Sequence, residues 1–521
     1  MNGTMKLNPG LHFYFGARES IFLFSFFLIL SCSTATDIEP SNDDVAPELH
    51  SLNFLAVNNP LQLVDDVSST INDSIVECWI PTIVKDKELI PTLQYTGDLI
   101  CFDGIPYTEG ACDFSKPLKL TITKSDIRKD YYVYVYSYTG IPVLWIDTYN
   151  RKDTLFQITK EDYTDAHLIL EENVLTRSAG EVVEADCKIK GRGNSSWVSS
   201  PKKSYRLQFD KKISLLGDPK DKSYVMIANY FDKTMLRNKT AYYMGEISKL
   251  DYTPKFHYVE LFLNGRYDGT YLLGDKLKID KNRVDVGDDG FLLEVDLRVI
   301  PDEDVYFNTE KLSSPVSIKD PDVEAYDENF CFIRDFVNNA EKVLFSDNFR
   351  SVDDGWQKYM DITSFVDWYI INEITRNGDA IFLTSVYMNY SRGGKLKMGP
   401  LWDFDVAMGN NYTDTVYPTE GFYIKNAAWY KRLFEDPVFV NAVKERFLYF
   451  YSHKNDIFSW INSESQYIRR SVLENDKRWG TLYTYTFPNH DIWGSYLNEV
   501  QSLKLWLNQR FEWLKTEFEN M

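Results

Sequence analysis

Hydrophobic spacing changes character along the chain. Between Ser51 and Gly140, apolar and polar residues alternate. In "PLKLTITK" (Pro117–Lys124) Leu118, Leu120 and Ile122 share one side, and "SIVECWIP" (Ser74–Pro81) and "YYVYVYSY" (Tyr131–Tyr138) are equally β-rich. A period of two puts alternate side chains on opposite faces of a strand. Turn residues separate these runs at spacings typical of a small β-sandwich of Ig-like type. The Tyr face of the last run suits either a glycan or protein ligand or packing against the next domain. Strands continue through "AHLILEEN" and "VVEADCKIKGRGNSSW". Beyond about residue 360 the period becomes three and four. Asp361–Arg376 is apolar nearly all round, which predicts a buried helix. From Ser495 onward Tyr496, Val500, Leu503, Leu507, Phe511 and Leu514 form one stripe, read as core rather than a cofactor site. A strand-rich half followed by a helix-rich half predicts an α+β, two-lobed domain after the sandwich.

The N-terminus reads as a targeting segment. "IFLFSFFLIL" (Ile21–Leu30), preceded by Lys6 and Arg18, is too short to span a bilayer and has the form of a signal-peptide core. It ends in "ILSCS", similar to a bacterial lipobox. That predicts removal of residues 1–31, lipid modification of Cys32 and anchoring in the bacterial cell envelope, at the outer membrane. "STATDIEPSNDDVAPE" is small, polar and acidic, so residues 32–50 read as a tether. The expected domains are 51–141 for the sandwich and 142–521 for the rest.

Charge and cysteine content narrow the partners. A net charge of −20, with no run of five basic residues, argues against nucleic acid. Besides Cys32 there are Cys78, Cys101, Cys112, Cys187 and Cys331. Their spacing fits no zinc pattern, and the chain has only six His. Cys101 and Cys112 could bridge.

Four stretches could carry chemistry. "KIKGRGNSSWVSSPKKSYRLQFD" (Lys188–Asp210) reads strand, Gly-rich turn, strand. Gly191 and Gly193 allow a tight turn, Asn194, Ser195 and Ser196 add short donors, and Lys202 and Lys203 open the next strand. "VMIANYFDKTMLRNKTAYYMG" (Val225–Gly245) runs from a strand into a helix, with Asp232 as its cap. "Leu-Asn-Gly-Arg" in "VELFLNGRYDGTYLL" is a hairpin turn, and "FLLEVD" (Phe291–Asp296) continues the sheet and ends in acids. The fourth is "INEITRNGDAIFLTSVYMNYSRGGKLKMGPLWDFDVAMGN". Its helix ends at "RNGD", and the hairpin after it delivers Asp403 and Asp405 beside Asp379. Three acids at one edge of a scaffold suit Mg²⁺, a hard cation that takes carboxylate oxygens and keeps several waters. The alternative reading is a solvated loop.

These stretches, in this order from about Pro142 to Leu514, resemble the CotH kinase family, whose members have an atypical protein-kinase-like fold. The resemblance implies transfer of the ATP γ-phosphoryl to Ser or Thr of a protein acceptor, with Mg²⁺. It implies that Asp379 is the catalytic-loop aspartate and Asp403 the metal-binding aspartate, with Asp405 a nearby second carboxylate. "GRGNSS", with Arg192, Gly193, Asn194, Ser195 and Ser196, would lie over the nucleotide, and Lys203, or else Lys202, would meet the phosphates. Two positions depart from the family pattern. Gly274-Asp275 replaces Thr-Glu, and Thr384 and Ser385 stand where a kinase places its metal-binding Asn. The alternative is a catalytically inactive surface or periplasmic binding lipoprotein.

Overall fold

The computed structural model describes residues 46–63, 66–81, 87–149, 158–174, 182–300 and 304–521. Cys32, the leader and most of the expected tether lie outside them. The last three tether residues are already strand: Glu48–Phe54 pairs with Thr92–Thr96.

The all-β character expected before residue 141 holds. Hydrogen bonds join eight strands in one continuous order, from Thr92–Thr96 at one edge to Ile105–Pro106 at the other. The long strand Ile127–Tyr138 lies between Leu118–Lys124, antiparallel, and Ile75–Pro81, parallel. Leu52, Val76, Leu120, Ile122 and Val133 are fully buried in their core. Cys101 and Cys112 are not bridged; all five cysteines here are free thiols.

The Tyr face packs against the next domain. Tyr136 and Tyr138 join Trp79 against Trp145, Phe262 and Tyr267. The Phe262 ring centroid lies 4.7 Å from Tyr136 and 5.3 Å from Trp79. Thr139 Oγ1 donates to the buried Glu260 at 2.7 Å, as does Tyr267 OH at 2.6 Å.

Seven strands between Val143 and Asp275 close into a barrel. In a closed ring of purely antiparallel neighbours the strand number must be even, so seven strands force one parallel seam. It is Val143–Thr148 against Phe256–Leu263. Leu144, Leu168, Ile189, Leu207, Val259 and Leu261 fill the interior. Asn264 and Gly265, at φ 52° and 75°, make the two-residue turn that right-handed strand twist favours.

A five-stranded sheet follows, in the order 306–308, 315–320, 291–295, 386–390, 396–398. Eight α-helices complete the described chain: α1 (Ser195–Ser199), α2 (Arg237–Glu246), α3 (Glu328–Leu344), α4 (Ile362–Thr375), α5 (Ala428–Leu433), α6 (Pro437–Ser452), α7 (Lys454–Trp479) and α8 (Tyr496–Asn520). Helix α4 is the expected apolar one. Asp361 caps it by accepting from Ser364 N, Arg376 ends it in the left-handed region, and nearly every residue between is buried. Helix α8 begins after Ser495, which accepts from Asn498 N, and its whole predicted stripe is buried. The architecture is α+β and largely β.

Candidate functional site

A cleft of about 520 Å³ separates one wall of the barrel from the loops beyond α4 and the hairpin 386–398. The barrel side supplies bases by strand alternation. Ile189, Gly191, Tyr205 and Leu207 are buried, so Lys190, Arg192 and Arg206 point outward; Lys190 and Arg206 are directly paired across the ladder. All three line the cleft, with Gly193, Asn194, Ser195 and Ser196. The Gly-rich segment is tighter than a plain turn. It contains the single-turn α1, and a Cβ on Gly191 would lie 2.1 Å from the Trp197 ring.

The polar C-terminal end of α4 supports the opposite wall. Glu373 at the end of α4 accepts from the backbone N–H groups of Tyr423, Ile424 and Lys425 at 2.7–3.0 Å. Its carboxylate also pairs with the fully buried Arg510 at 2.6 Å. Arg376 donates to the carbonyls of Thr415, Glu420 and Gly421. Asn377 accepts from Asp379 N and donates to Asp403 O at 3.3 Å, tying the two acidic loops together. Those bonds leave the Asp379 carboxyl to face the cleft.

The stretch around Asp232 acts on the same loops. Asp232 accepts from Arg237 N (2.8 Å) and pairs with its guanidinium (2.6 Å), ordering the turn into α2. Arg237 Nε reaches Ala407 O at 3.1 Å, and Asn238 Oδ1 accepts from Phe404 N at 2.8 Å. Asn410 donates to Phe231 O and to Asp405 O. "YFDKTMLRN" thus clamps "WDFDVAMGN", a role hidden in the sequence because its contacts span some 170 residues.

Asp379, Asp403 and Asp405 all line the cleft. Asp403 sits at φ 66°, a left-handed conformation that costs a non-glycine residue energy and persists only when its surroundings impose it. Burial, then the neighbouring Asp403 and Asp232, push the Asp405 carboxyl well above the usual range. Burial and Asp403 push Asp379 up to about 7. Ser385 Oγ donates to Asp403 Oδ2 at 3.4 Å, so Ser385 and Thr384 do border the acids. Among the described residues no three His, Cys, Asp or Glu side chains form a metal-ligand set by themselves. Mg²⁺ needs only one or two carboxylates when substrate phosphates and water complete its shell. Asp403 and Asp405, half-buried and close together on one loop, fit that cation.

The two lysines of the first stretch are both engaged. Lys203 is not among the residues lining the cleft. Its Nζ donates to Trp197 O (2.5 Å) and Ser200 O (2.6 Å), stapling α1. Lys202 is fully buried and donates to Ala228 O, Thr270 O and Asn475 Oδ1. Burial lowers its pKa to about 7. Lys202 does border the cleft, and with it stand residues not singled out from the sequence: Lys160, Lys190, Arg206, Arg298, Lys319 and Asn229. Outward alternation on the strand pair 182–192 and 204–213 was the available signal for Lys190 and Arg206.

The raised Asp379 has a measurable consequence. An aspartate normally titrates near pH 4. Between about pH 4 and 7 the folded protein therefore holds a proton that the unfolded chain has released, and the contribution to stability falls as pH rises through that window. The unfolding midpoint of metal-free protein should drop more steeply from about pH 5 to 8 than that of Asp379→Asn. Parallel slopes would place Asp379 in the ordinary range.

The fold and cleft define an α+β protein in which half-buried acids face bases across one site. Residues 189–514, more than half of the chain, match the family described as "CotH kinase protein", and the chain belongs to that family. No curated protein matches it. The solved structures that match are only weakly similar, as two of them show. A DUF4623 family protein from Bacteroides eggerthii is 13% identical at a TM-score of 0.15, over 34% of this chain and 47% of its own. The chain thus spans about half of that protein. A putative glycoside hydrolase from Bacteroides thetaiotaomicron is 12% identical at a TM-score of 0.18, over 53% of this chain and 74% of its own. At these scores neither likeness carries an argument about fold or function.

Proposed function

We propose that this chain is a Mg²⁺-dependent phosphotransferase that moves the γ-phosphoryl of ATP to a Ser or Thr hydroxyl of a protein. The observation that carries the reading is the opposition of walls: Asp379, Asp403 and Asp405 on one side, Lys190, Arg192 and Arg206 on the other. Phosphoryl transfer calls for this division, since catalysis there is mostly positioning and charge stabilisation. Asp403 and Asp405 would hold Mg²⁺, which supplies neutralisation of charge on the phosphate oxygens. Asp379 accepts or orients the acceptor hydroxyl proton. A carboxyl raised to about 7 matches that task, because a general base works best with a pKa near the operating pH. The segment 192–196 borders the phosphates from the barrel side. Incubation with γ-labelled ATP and a mixture of Ser- and Thr-containing proteins tests the reading. Label should appear on hydroxyl side chains only with Mg²⁺ present; its absence with Mg²⁺ would count against transfer.

We also propose lipid anchoring through Cys32, at the outer membrane, from the lipobox-like "ILSCS". No helix among the described residues is long and apolar enough to cross a membrane. Cys32→Ser should release the protein into the soluble fraction after export, because acyl chains would supply the membrane affinity. Unchanged membrane fractionation of the variant would refute the anchor.

A further inference from the structure

Two buried donors in the cleft lack partners. Arg206 Nε is shielded from solvent and finds no hydrogen-bond partner among the described residues, and neither does Asn229 Nδ2. Asn229 is 4% exposed. Both residues line the cleft. Leaving a buried amide or guanidinium donor unpaired is costly, so such a donor marks a place where a ligand completes the bonding.

The orientation of Asn229 follows from its network. Asn238 Oδ1 accepts from Phe404 N at 2.8 Å, which fixes that amide. Its Nδ2 therefore faces Asn229 and donates to Asn229 Oδ1 at 3.3 Å. The Asn229 amine is left turned away from Asn238, as a donor. Its backbone adds a second sign of purpose. Asn229 sits at φ 49°, just past the strand 221–227, where a β-carbon carries strain.

The surroundings of Arg206 are basic. Its charge adds to those of Lys190 and Arg192, lowering the proton affinity of both, behind burial as the larger cause. No acid forms an ion pair with it among the described residues, whereas Lys319 in the same cleft is paired with Glu294 at 3.2 Å. A guanidinium among like charges, beside an amide donor, is complementary to an anion with several oxygens.

We propose that Arg206 and Asn229 form the polyphosphate anchor of this cleft, taking the place that Lys203 would otherwise fill. The anchor rests on the phosphotransferase reading, and names which groups hold the phosphate chain opposite Asp403 and Asp405. Lys203 is held by Trp197 O and Ser200 O. Lys202 has all three donors satisfied.

Calorimetric titration of the full chain with Mg²⁺-free tripolyphosphate, and separately with MgATP, tests the anchor. The variants are Arg206→Gln and Asn229→Gly, glycine being the residue that accepts the left-handed backbone without a side chain. Arg206→Lys serves as a second variant that keeps the charge but loses the fork. Arg206→Gln should weaken both ligands by about tenfold or more, as for loss of a charge-assisted bond. Arg206→Lys should fall between it and the parent, and Asn229→Gly should weaken both severalfold. If the parent binds MgATP and Arg206→Gln binds it within a few-fold of the parent, the anchor is wrong while the phosphotransferase reading stands. If the parent binds neither ligand, both fall.

Discussion

Alanine at Asp379 should cut phosphoryl transfer by about 10² or more while leaving MgATP binding nearly intact. Alanine at Asp403 should do the opposite first: weaken Mg²⁺-dependent ATP binding, with transfer lost as a result. The difference follows from position. Asp403 and Asp405 lie together at the end of "GPLWDFD", where their mutual repulsion calls for a cation. Asp379 lies on the neighbouring loop, held by Asn377, with its carboxyl raised by burial and by Asp403. Removing a metal ligand takes away part of what holds the phosphates. Removing a base takes away only a proton acceptor in the transition state. Titration of MgATP and single-turnover transfer, measured on both variants, separate the two. Equal loss of binding in both would mean that Asp379 is also a ligand.

Arg510→Ala should destabilise the fold by about 3–5 kcal/mol, the cost of stripping the partner from a buried ion. Arg510 is fully buried on α8, and burial lowers its pKa to about 10. It donates to Glu373 Oε1 at 2.6 Å, to Glu373 O, and to the carbonyls of Thr419 and Gly421. The substitution would leave the Glu373 carboxylate buried with only backbone donors. Adding Glu373→Gln should recover part of the loss, because its neutral amide oxygen can still accept from Ile424 N and Lys425 N, which share one carboxylate oxygen in the parent. Denaturant unfolding of the single and double variants measures this. A loss below about 1 kcal/mol for Arg510→Ala would mean that water reaches the carboxylate. Because Glu373 ends the helix that leads to Asp379, Arg510→Ala should also lower transfer at a distance from the chemistry.

Local signals were legible in the sequence, and closures were not. Helices α4 and α8 were readable because their apolar periodicity and their caps, Asp361 and Ser495, agree. The Asn264-Gly265 turn was readable because its backbone demands those residues. The barrel was not readable, since its seam joins residues 143–146 to 260–263, and no short window holds both. At the site, the acids were legible because Asp379, Asp403 and Asp405 lie on loops between strong elements. Of the basic wall, Arg192 was legible, whereas Lys190 and Arg206 were hidden behind the more conspicuous Lys202 and Lys203. Two adjacent lysines offer the same chemistry, and only the folded chain shows both turned onto carbonyls while Arg206 faces the cleft. The work of Asp232, Arg237 and Asn238 was equally hidden, because a cap and a long-range clamp look alike in sequence.

The most direct measurement is thermal unfolding of the intact chain with ATP and Mg²⁺ together, against each alone. A ligand that binds only the folded state raises stability by about 2.7 kcal/mol at a hundred times its dissociation constant. The midpoint should rise clearly with MgATP and less with ATP alone, and Asp403→Ala should lose the Mg²⁺-dependent part. An unchanged midpoint at millimolar MgATP would contradict the phosphotransferase reading.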